Sequence, residues 1–382
     1  MKLESLDWEV LDRLRQTFLT DAKSAGPYWH TMTDLECYDL TYGERIGWKW
    51  DAVLRELRAR NWTPVSEATG GPSSGEAARA QTVPASRELG PPSRNLITIL
   101  DWGCGSGIAG RRVVEFFGAA NFARLVVHDH SGLALDFAEH HGRQAFPALT
   151  VERASVRFLR GDEPIGLLVV SHVVNELDDT ARAELTELCA RARAILWVEP
   201  GTHEVSRALG GWREKLRGDG FQLVAPCPHQ SACGVLTPGN ERHWCHFFAA
   251  PPSGVYADSG WVKFGQRAGI DLRSLPYSFL VLDRNVGPAL VAGPRRSADE
   301  RRPYTQAPGL SRIIGEPRLY KGYAKIFNCD AGGVAELMLQ KRDAPGLFKA
   351  LKQGSDSALH RWTHENGRIT GIESEPATDD PQ

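Results

Sequence analysis

No segment of the 382-residue chain approaches the roughly eighteen consecutive apolar residues that a membrane-spanning helix needs, so a transmembrane helix is excluded. Charge of one sign is not in excess either. There are 45 Lys and Arg against 47 Asp and Glu, a formal net charge of −2, which excludes a uniformly basic nucleic-acid binder but leaves room for a local basic face. Cysteine is sparse and odd in number, seven in all, so a disulfide-stapled secreted framework is excluded. The opening MKLESLDWEVLDRL is acidic and amphipathic, unlike a signal peptide or an Arg-rich transit peptide, and a cytoplasmic location of bacterial type is the expectation. The rest of the composition, 42% hydrophobic and 24% charged, is that of a folded chain long enough for two or three domains.

Periodicity divides the chain. Residues 1–62 carry apolar residues at helical spacing, in DWEVLDRLRQTFL and WKWDAVLRELRARNW. Residues 63–94, rich in Gly, Pro, Ser and Ala, read as a flexible linker or insertion. Over 95–284 short apolar runs (LITILDW, ARLVVHD, GLLVVSHVV, AILWVEP, YSFLVLDR) alternate with helical segments. That alternation predicts an α/β domain with a parallel sheet covered on both faces and ligands beyond the carboxyl ends of its strands. The pattern lapses in a Pro-, Cys- and His-rich loop, 226–247. Residues 309–365 suggest a small β-rich domain, and 366–382 an acidic tail.

The first strand ends in Asp101-Trp102-Gly103-Cys104-Gly105-Ser106-Gly107 and a helix follows. Glycines let the backbone turn sharply and approach a ligand closely. Asp129, ending the next strand, is placed to accept hydrogen bonds from ribose hydroxyls. The D-x-G-x-G-x-G form departs from the dinucleotide fingerprint and resembles motif I of class I S-adenosylmethionine (SAM) methyltransferases. That resemblance implies SAM bound by Asp101, Gly103, Gly105, Gly107 and Asp129. His172, Asn175 and Glu176 follow the third strand, where the acceptor-facing motif of that family falls; Asn175 and Glu176 are candidate catalytic residues or, equally, caps for the next helix near Asp178 and Asp179. No Asn-Pro-Pro-Tyr or Pro-Cys acceptor motif is present. Cys104, inside the turn, reads as a packing residue, as do Cys37 and Cys189 within helices.

Cys227, Cys233 and Cys245 share a loop with His229, His243 and His246. The spacings C-x5-C and C-x11-C match neither zinc fingers nor ferredoxin runs. They suggest a metal whose identity is open, with Cys227-Pro228 leaning towards an iron–sulfur cluster and with a histidine or Cys329 as the fourth ligand. The order DWGCGSG, HVVNEL, VEPG, APCPHQSAC, WCHF, YSFLVLDR and IFNCDAGG, over about 96–345, resembles the Rsm-type family of methyltransferase-like small-ribosomal-subunit proteins. The resemblance implies a SAM-type Rossmann domain and a small C-terminal β domain. It also implies a 4Fe–4S cluster on Cys227, Cys233, Cys245 and Cys329, and binding to the small ribosomal subunit and its rRNA. A non-catalytic assembly factor with the same fold is the alternative. A small-molecule methyltransferase with structural zinc is a weaker one. A monomer is the expected state.

Charge is uneven. Between 260 and 325 lie twelve Lys and Arg (Lys263, Arg267, Arg273, Arg284, Arg295, Arg296, Arg301, Arg302, Arg312, Arg318, Lys321, Lys325) against five acids, with Tyr256, Trp261, Phe264 and Tyr277 nearby. Basic residues interleaved with aromatics suggest an RNA-contacting surface.

Overall fold

A computed structural model describes residues 6–19, 28–64, 96–285, 309–354 and 359–373. The 63–94 linker, apart from its first two positions, lies outside the described residues.

Three helices lead the chain: α1 (Trp8–Leu19), α2 (Met32–Tyr38) and α3 (Glu44–Ala59). Thr31 and Asp34 cap α2 reciprocally. A π-helical turn at Asp39–Gly43 joins α2 to α3. Tyr42 within it and Tyr38 just before it face the same space as the glycine turn. A mixed α/β unit follows: β1 (Ile97–Trp102), α4 (Ile108–Phe117), β2 (Phe122–His128), α5 (Gly132–Ala145), β3 (Thr150–Arg153), α6 (Val156–Arg160), β4 (Ile165–Ser171), α7 (Asp179–Arg191), β5 (Ala192–Pro200), α8 (His203–Gly218), β6 (Gln222–Ala225), β7 (Phe247–Phe248), α9 (Ser259–Ala268) and β8 (Pro276–Asp283).

The strands run in the order β3-β2-β1-β4-β5-β8-β6. The first five are parallel, and β8 inserts antiparallel between β5 and β6, so YSFLVLDR is a strand that reverses the expected direction. This is the strand order of class I SAM methyltransferases. The central strands read as near-continuous apolar runs because both faces are covered. One face packs α3, α4 and α9 through Trp50, Leu54, Val113 and Phe264; the other packs α7 and α8 through Leu185, Leu188 and Trp212. The order reverses at β1, between β2 and β4, and that switch point opens a crevice at the strands' carboxyl ends.

The chain ends in a closed barrel of β9 (Leu310–Leu319), β10 (Tyr323–Asp330), β11 (Gly333–Gln340), β12 (His360–Glu365) and β13 (Arg368–Glu373), with α10 (Pro345–Gln353) between the third and fourth strands. The circuit β9-β10-β11-β13-β12, antiparallel except for β11 against β13, is the topology of an OB-fold. Its own core contains Ile326, Leu337, Leu339, Phe348 and Ile369. The barrel therefore runs past the expected boundary at 365. Asn366 and Gly367 take φ of 49° and 74°. Two successive positive values make the tight turn of a β-hairpin, and what read as the start of a tail is the fifth strand. Residues 374–382 lie outside the described residues.

Candidate active site and cysteine cluster

At the switch point β1 passes into the glycine turn. Gly103, Gly105 and Gly107 take φ of 69°, 51° and 75°, left-handed values that side chains resist. The turn is held from three sides. Asp129 Oδ2 accepts the Gly105 N–H at 2.9 Å, the His128 carbonyl accepts the Cys104 N–H at 2.9 Å, and Arg111 Nη1 donates to the Ser106 carbonyl at 2.6 Å. Arg111 also clamps the turn to the N-terminal helices through both oxygens of Asp39, at 2.7 and 2.9 Å.

A cavity of about 620 Å³ opens over this turn. Gly103, Gly105, Asp129, His172, Asn175 and Glu176 all line it, so the structure brings most of the sequence-derived candidates together. A Cβ on Gly105 would meet nothing within 4 Å, whereas one on Gly103 would strike Val173 at 2.7 Å. Gly105 thus faces the ligand space. Asp101 and Gly107 are not among the lining residues. Asp101 is fully buried and takes the Gly110 N–H at 2.9 Å, pinning the start of α4, and burial pushes its carboxyl up to about 7. Gly107 is the left-handed N-cap of α4 and packs on Ala138. These two shape the turn.

Asn175 and Glu176 do not cap α7. Asp178 is the N-cap, its side chain accepting the Ala181 N–H at 2.7 Å. Burial, and then the charge of Asp129, push the Glu176 carboxyl up to about 7. His172 sits at φ 58°, with Nε2 3.1 Å from Lys49 Nζ and Nδ1 3.2 Å from Ser171 Oγ. Burial holds its imidazole well below the usual range, with Lys49 adding to the effect. Lys49 is itself brought to about 7 by burial and the neighbouring Arg45. Glu199 accepts the N–H groups of Val173 and Val174 at 3.0 and 3.2 Å and of the Trp197 indole at 2.6 Å, fixing the turn after β4. Cys104 is buried and its thiol is pushed well up, chiefly by burial, which suits packing and not attack.

The periodicity of 1–62 gave no sign of the cavity's other wall. Phe18 on α1, Tyr28 and Trp29 before α2, Tyr38 on α2 and Tyr42 in the π-helical turn roof it. Their rings meet edge-on, Phe18 lying 5.6 Å from both Tyr28 and Tyr42 and Trp29 4.9 Å from Tyr38. On the floor, Glu184 accepts from the Trp102 indole at 2.8 Å and lies 3.5 Å from His128.

The four cysteines of the second candidate site are all half-buried and lie within electrostatic reach of one another. Burial raises the thiols of Cys233, Cys245 and Cys329, and each is raised further by its cysteine neighbours, Cys227 among them. The loop that carries the first three abuts the β10–β11 hairpin that carries the fourth: a Cβ on Gly234 would lie 2.9 Å from the Gly333 backbone. Arg213 Nε donates to Cys227 Sγ at 3.1 Å, and His229 Nε2 lies 3.5 Å from Cys329 Sγ. His243 and His246 instead stack on Phe327 and Trp244. Among the described residues no three His, Cys, Asp or Glu side chains form a group set to hold a metal ion. Cys37 and Cys189 are buried in helices, as expected.

The basic stretch is not one surface. Arg312 is buried against Glu56, Arg267 pairs with Asp12, Arg273 with Asp271, and Arg318 and Lys325 share Glu336. Trp261, Phe264 and Tyr277 are core residues, while Tyr256 is exposed. Arg295, Arg296, Arg301 and Arg302 lie outside the described residues. No helix among the described residues is long and apolar enough to cross a membrane.

Among solved structures, magnesium protoporphyrin IX methyltransferase of Synechocystis PCC 6803 with bound SAH is 10% identical, over 73% of this chain and 95% of that one, at TM-score 0.34. A ribosomal protein L11 methylase of Lactobacillus delbrueckii subsp. bulgaricus is 14% identical, over 34% and 64%, at 0.26. A Thermoplasma acidophilum protein is 9% identical, over 50% and 79%, at 0.29. With scores this low, the fold assignment rests on the strand order and the glycine turn. No curated protein matches the chain. Residues 95–354, well over half of the sequence and spanning the glycine turn, the cysteine loop and Cys329, match the model of the mitochondrial small ribosomal subunit Rsm22 family, and the chain belongs to that family.

Proposed function

We propose that this protein is a SAM-dependent methyltransferase of small-subunit ribosomal RNA, acting during assembly of the subunit. The observation that carries the reading is the single cavity in which Gly105, Asp129 and Glu176 meet under an aromatic roof. Gly103 and Gly105 would lie along the methionine portion of SAM. Asp129, whose oxygens each accept one backbone N–H, from Gly105 and Ser131, keeps lone pairs for two ribose hydroxyls. SAM supplies an activated methyl group. A planar acceptor fits between the tyrosines and the β4 turn. There Glu176, poised near neutrality, can take a proton from the acceptor, and the rings exclude water. The family description points to the small ribosomal subunit as the setting.

We assign the four thiols to a 4Fe–4S cluster, the group that the family resemblance implies for Cys227, Cys233, Cys245 and Cys329. Cys227, Cys233 and Cys245 on the loop and Cys329 on β10 would hold it and tie the barrel to the α/β unit.

An assembly scaffold without turnover is the second reading. It is favoured by the internal engagement of His172 with Lys49 and Ser171 and of Glu199 with Val173, Val174 and Trp197, which ties these groups to the protein and not to an acceptor. Calorimetric titration with SAM, followed by methyl transfer to immature small subunits, tests the first reading; binding without transfer would support the second.

A further inference from the structure

We propose that the C-terminal barrel carries a second RNA site, a groove for a single-stranded segment across the outer face of β10 and β11. This deepens the RNA reading above and rests on it for the identity of the polymer. The barrel has OB topology, whose second and third strands and flanking β1–β2 and β4–β5 loops form a ligand face. Topology alone does not give function, so the residues must supply the chemistry. Along β10, Ala324, Ile326 and Asn328 are buried inward, which turns Tyr323, Lys325 and Phe327 outward. At the loop between β9 and β10, Tyr320 and Tyr323 stack with centroids 4.5 Å apart and planes 13° from parallel, and Tyr320 is 43% exposed. An exposed, pre-stacked pair of rings costs energy to keep in water and offers a base a ready platform.

Cations border it. Lys321 is exposed at the loop tip. Arg318 and Lys325 share the one carboxylate of Glu336, leaving net positive charge beside the rings. The β12–β13 turn closes the same end, with the Met338 N–H donating to the Gly367 carbonyl at 2.8 Å. Further rings then lead away towards the cavity. Phe327 stacks on His243 at 4.2 Å, Trp244 stacks on His246 at 4.6 Å, and the Trp244 indole donates to the carbonyl of Gly201, next to the cavity-lining Pro200.

The test is fluorescence anisotropy of the full chain with a labelled single-stranded RNA of about twelve nucleotides, within the range of one OB barrel. Tyr320→Ala with Tyr323→Ala should weaken binding about tenfold or more, the loss expected from removing one to two stacked bases. Tyr320→Phe with Tyr323→Phe keeps the platform and should bind within about twofold of wild type, which separates stacking from misfolding. Lys321→Glu should weaken binding and flatten its salt dependence. Equal affinity for the alanine pair and wild type, or for a blunt duplex of the same length, overturns the proposal. SAM titration of the same samples separates the two claims. Tyrosine-dependent RNA binding without SAM binding leaves the groove standing and removes the methyltransferase reading. SAM binding with tyrosine-independent RNA affinity does the reverse.

Discussion

Glu56 on α3 and Arg312 on β9, 256 positions apart in sequence, meet as a buried two-point ion pair, with Arg312 Nη2 donating to Glu56 Oε2 at 2.8 Å. Arg60 donates to the same carboxylate through Nε at 2.9 Å and reaches the carbonyls of Val224 and Pro226 at 2.8 and 3.1 Å. The Arg312 guanidinium lies 4.0 Å over the Phe247 ring. One carboxylate thus joins the N-terminal helix, the strand that enters the cysteine loop, and the barrel. The helix it anchors also carries Arg45 and Lys49 into the cavity.

This cluster should govern acid stability. Burial opposes ionisation of Glu56, but Arg312 and Arg60 outweigh it and bring the carboxyl from 4.5 down to about 2. A depressed carboxylate stabilises the fold above its unfolded pKa, and that contribution is lost as pH falls from about 4.5 towards 2. Glu56→Gln should cost about 3–5 kcal/mol at neutral pH, because two buried guanidinium groups lose their counter-charge. It should also remove most of the pH dependence in that window. Denaturant unfolding followed by tryptophan fluorescence from pH 2 to 7 gives both quantities. Parallel curves for variant and wild type would show that another group sets acid stability.

Glu176 should govern the pH dependence of methyl transfer. A carboxyl raised to about 7 is a working base only when ionised, so the rate should climb through about pH 7 and level off above it. Glu176→Gln should slow transfer by about 10²–10⁴ and leave a flat profile, with SAM affinity little changed. A Gln variant that keeps the wild-type slope would place the base elsewhere.

Gly105→Asp should abolish SAM binding while the chain still folds. Its added side chain enters open space, and Asp tolerates left-handed φ better than most residues. Gly103→Asp is the poorer probe, since its Cβ collides with Val173 and a loss could reflect the fold. Calorimetry with SAM beside a thermal melt distinguishes the two effects.

The proposed cluster predicts a brown protein, and Cys233→Ser and Cys329→Ser should each remove that colour and lower the melting temperature, because cluster binding is coupled to folding. Cys189→Ala, in the core of α7, should keep the colour. Metal analysis that finds zinc and no iron in the wild type would reject the cluster. Full iron content in either Ser variant would reject that ligand.

The parts of this molecule that are legible in sequence are those encoded by neighbours. The glycine turn, Asp129 and the β4 turn each lie at the end of an apolar run, and the strand order then gathers them. The cysteine loop is compact enough to notice, although bringing Cys329 to it takes the whole barrel. The aromatic roof was harder to see because its residues arrive from two helices, the segment between them and a π-turn, as tertiary packing and not as a motif. The signal that could have found it is density: Tyr28, Trp29, Tyr38 and Tyr42 fall within fifteen positions of a chain only 9% aromatic. The basic stretch misled because linear clustering ignores burial. Arg312 spends its charge on Glu56 in the interior, and Trp261 and Phe264 face the core. The fifth barrel strand was announced by Asn366-Gly367, a strong hairpin signal hidden by the acidic residues that follow it.

The most direct test of the central claim is mass spectrometry of methylated nucleosides in small-subunit ribosomal RNA from wild-type, deletion and Gly105→Asp cells. One methyl mark should be lost in both mutants while subunits still accumulate in Gly105→Asp cells. If every mark persists in Gly105→Asp cells and only the deletion loses subunits, the protein serves assembly without methyl transfer and the account is contradicted.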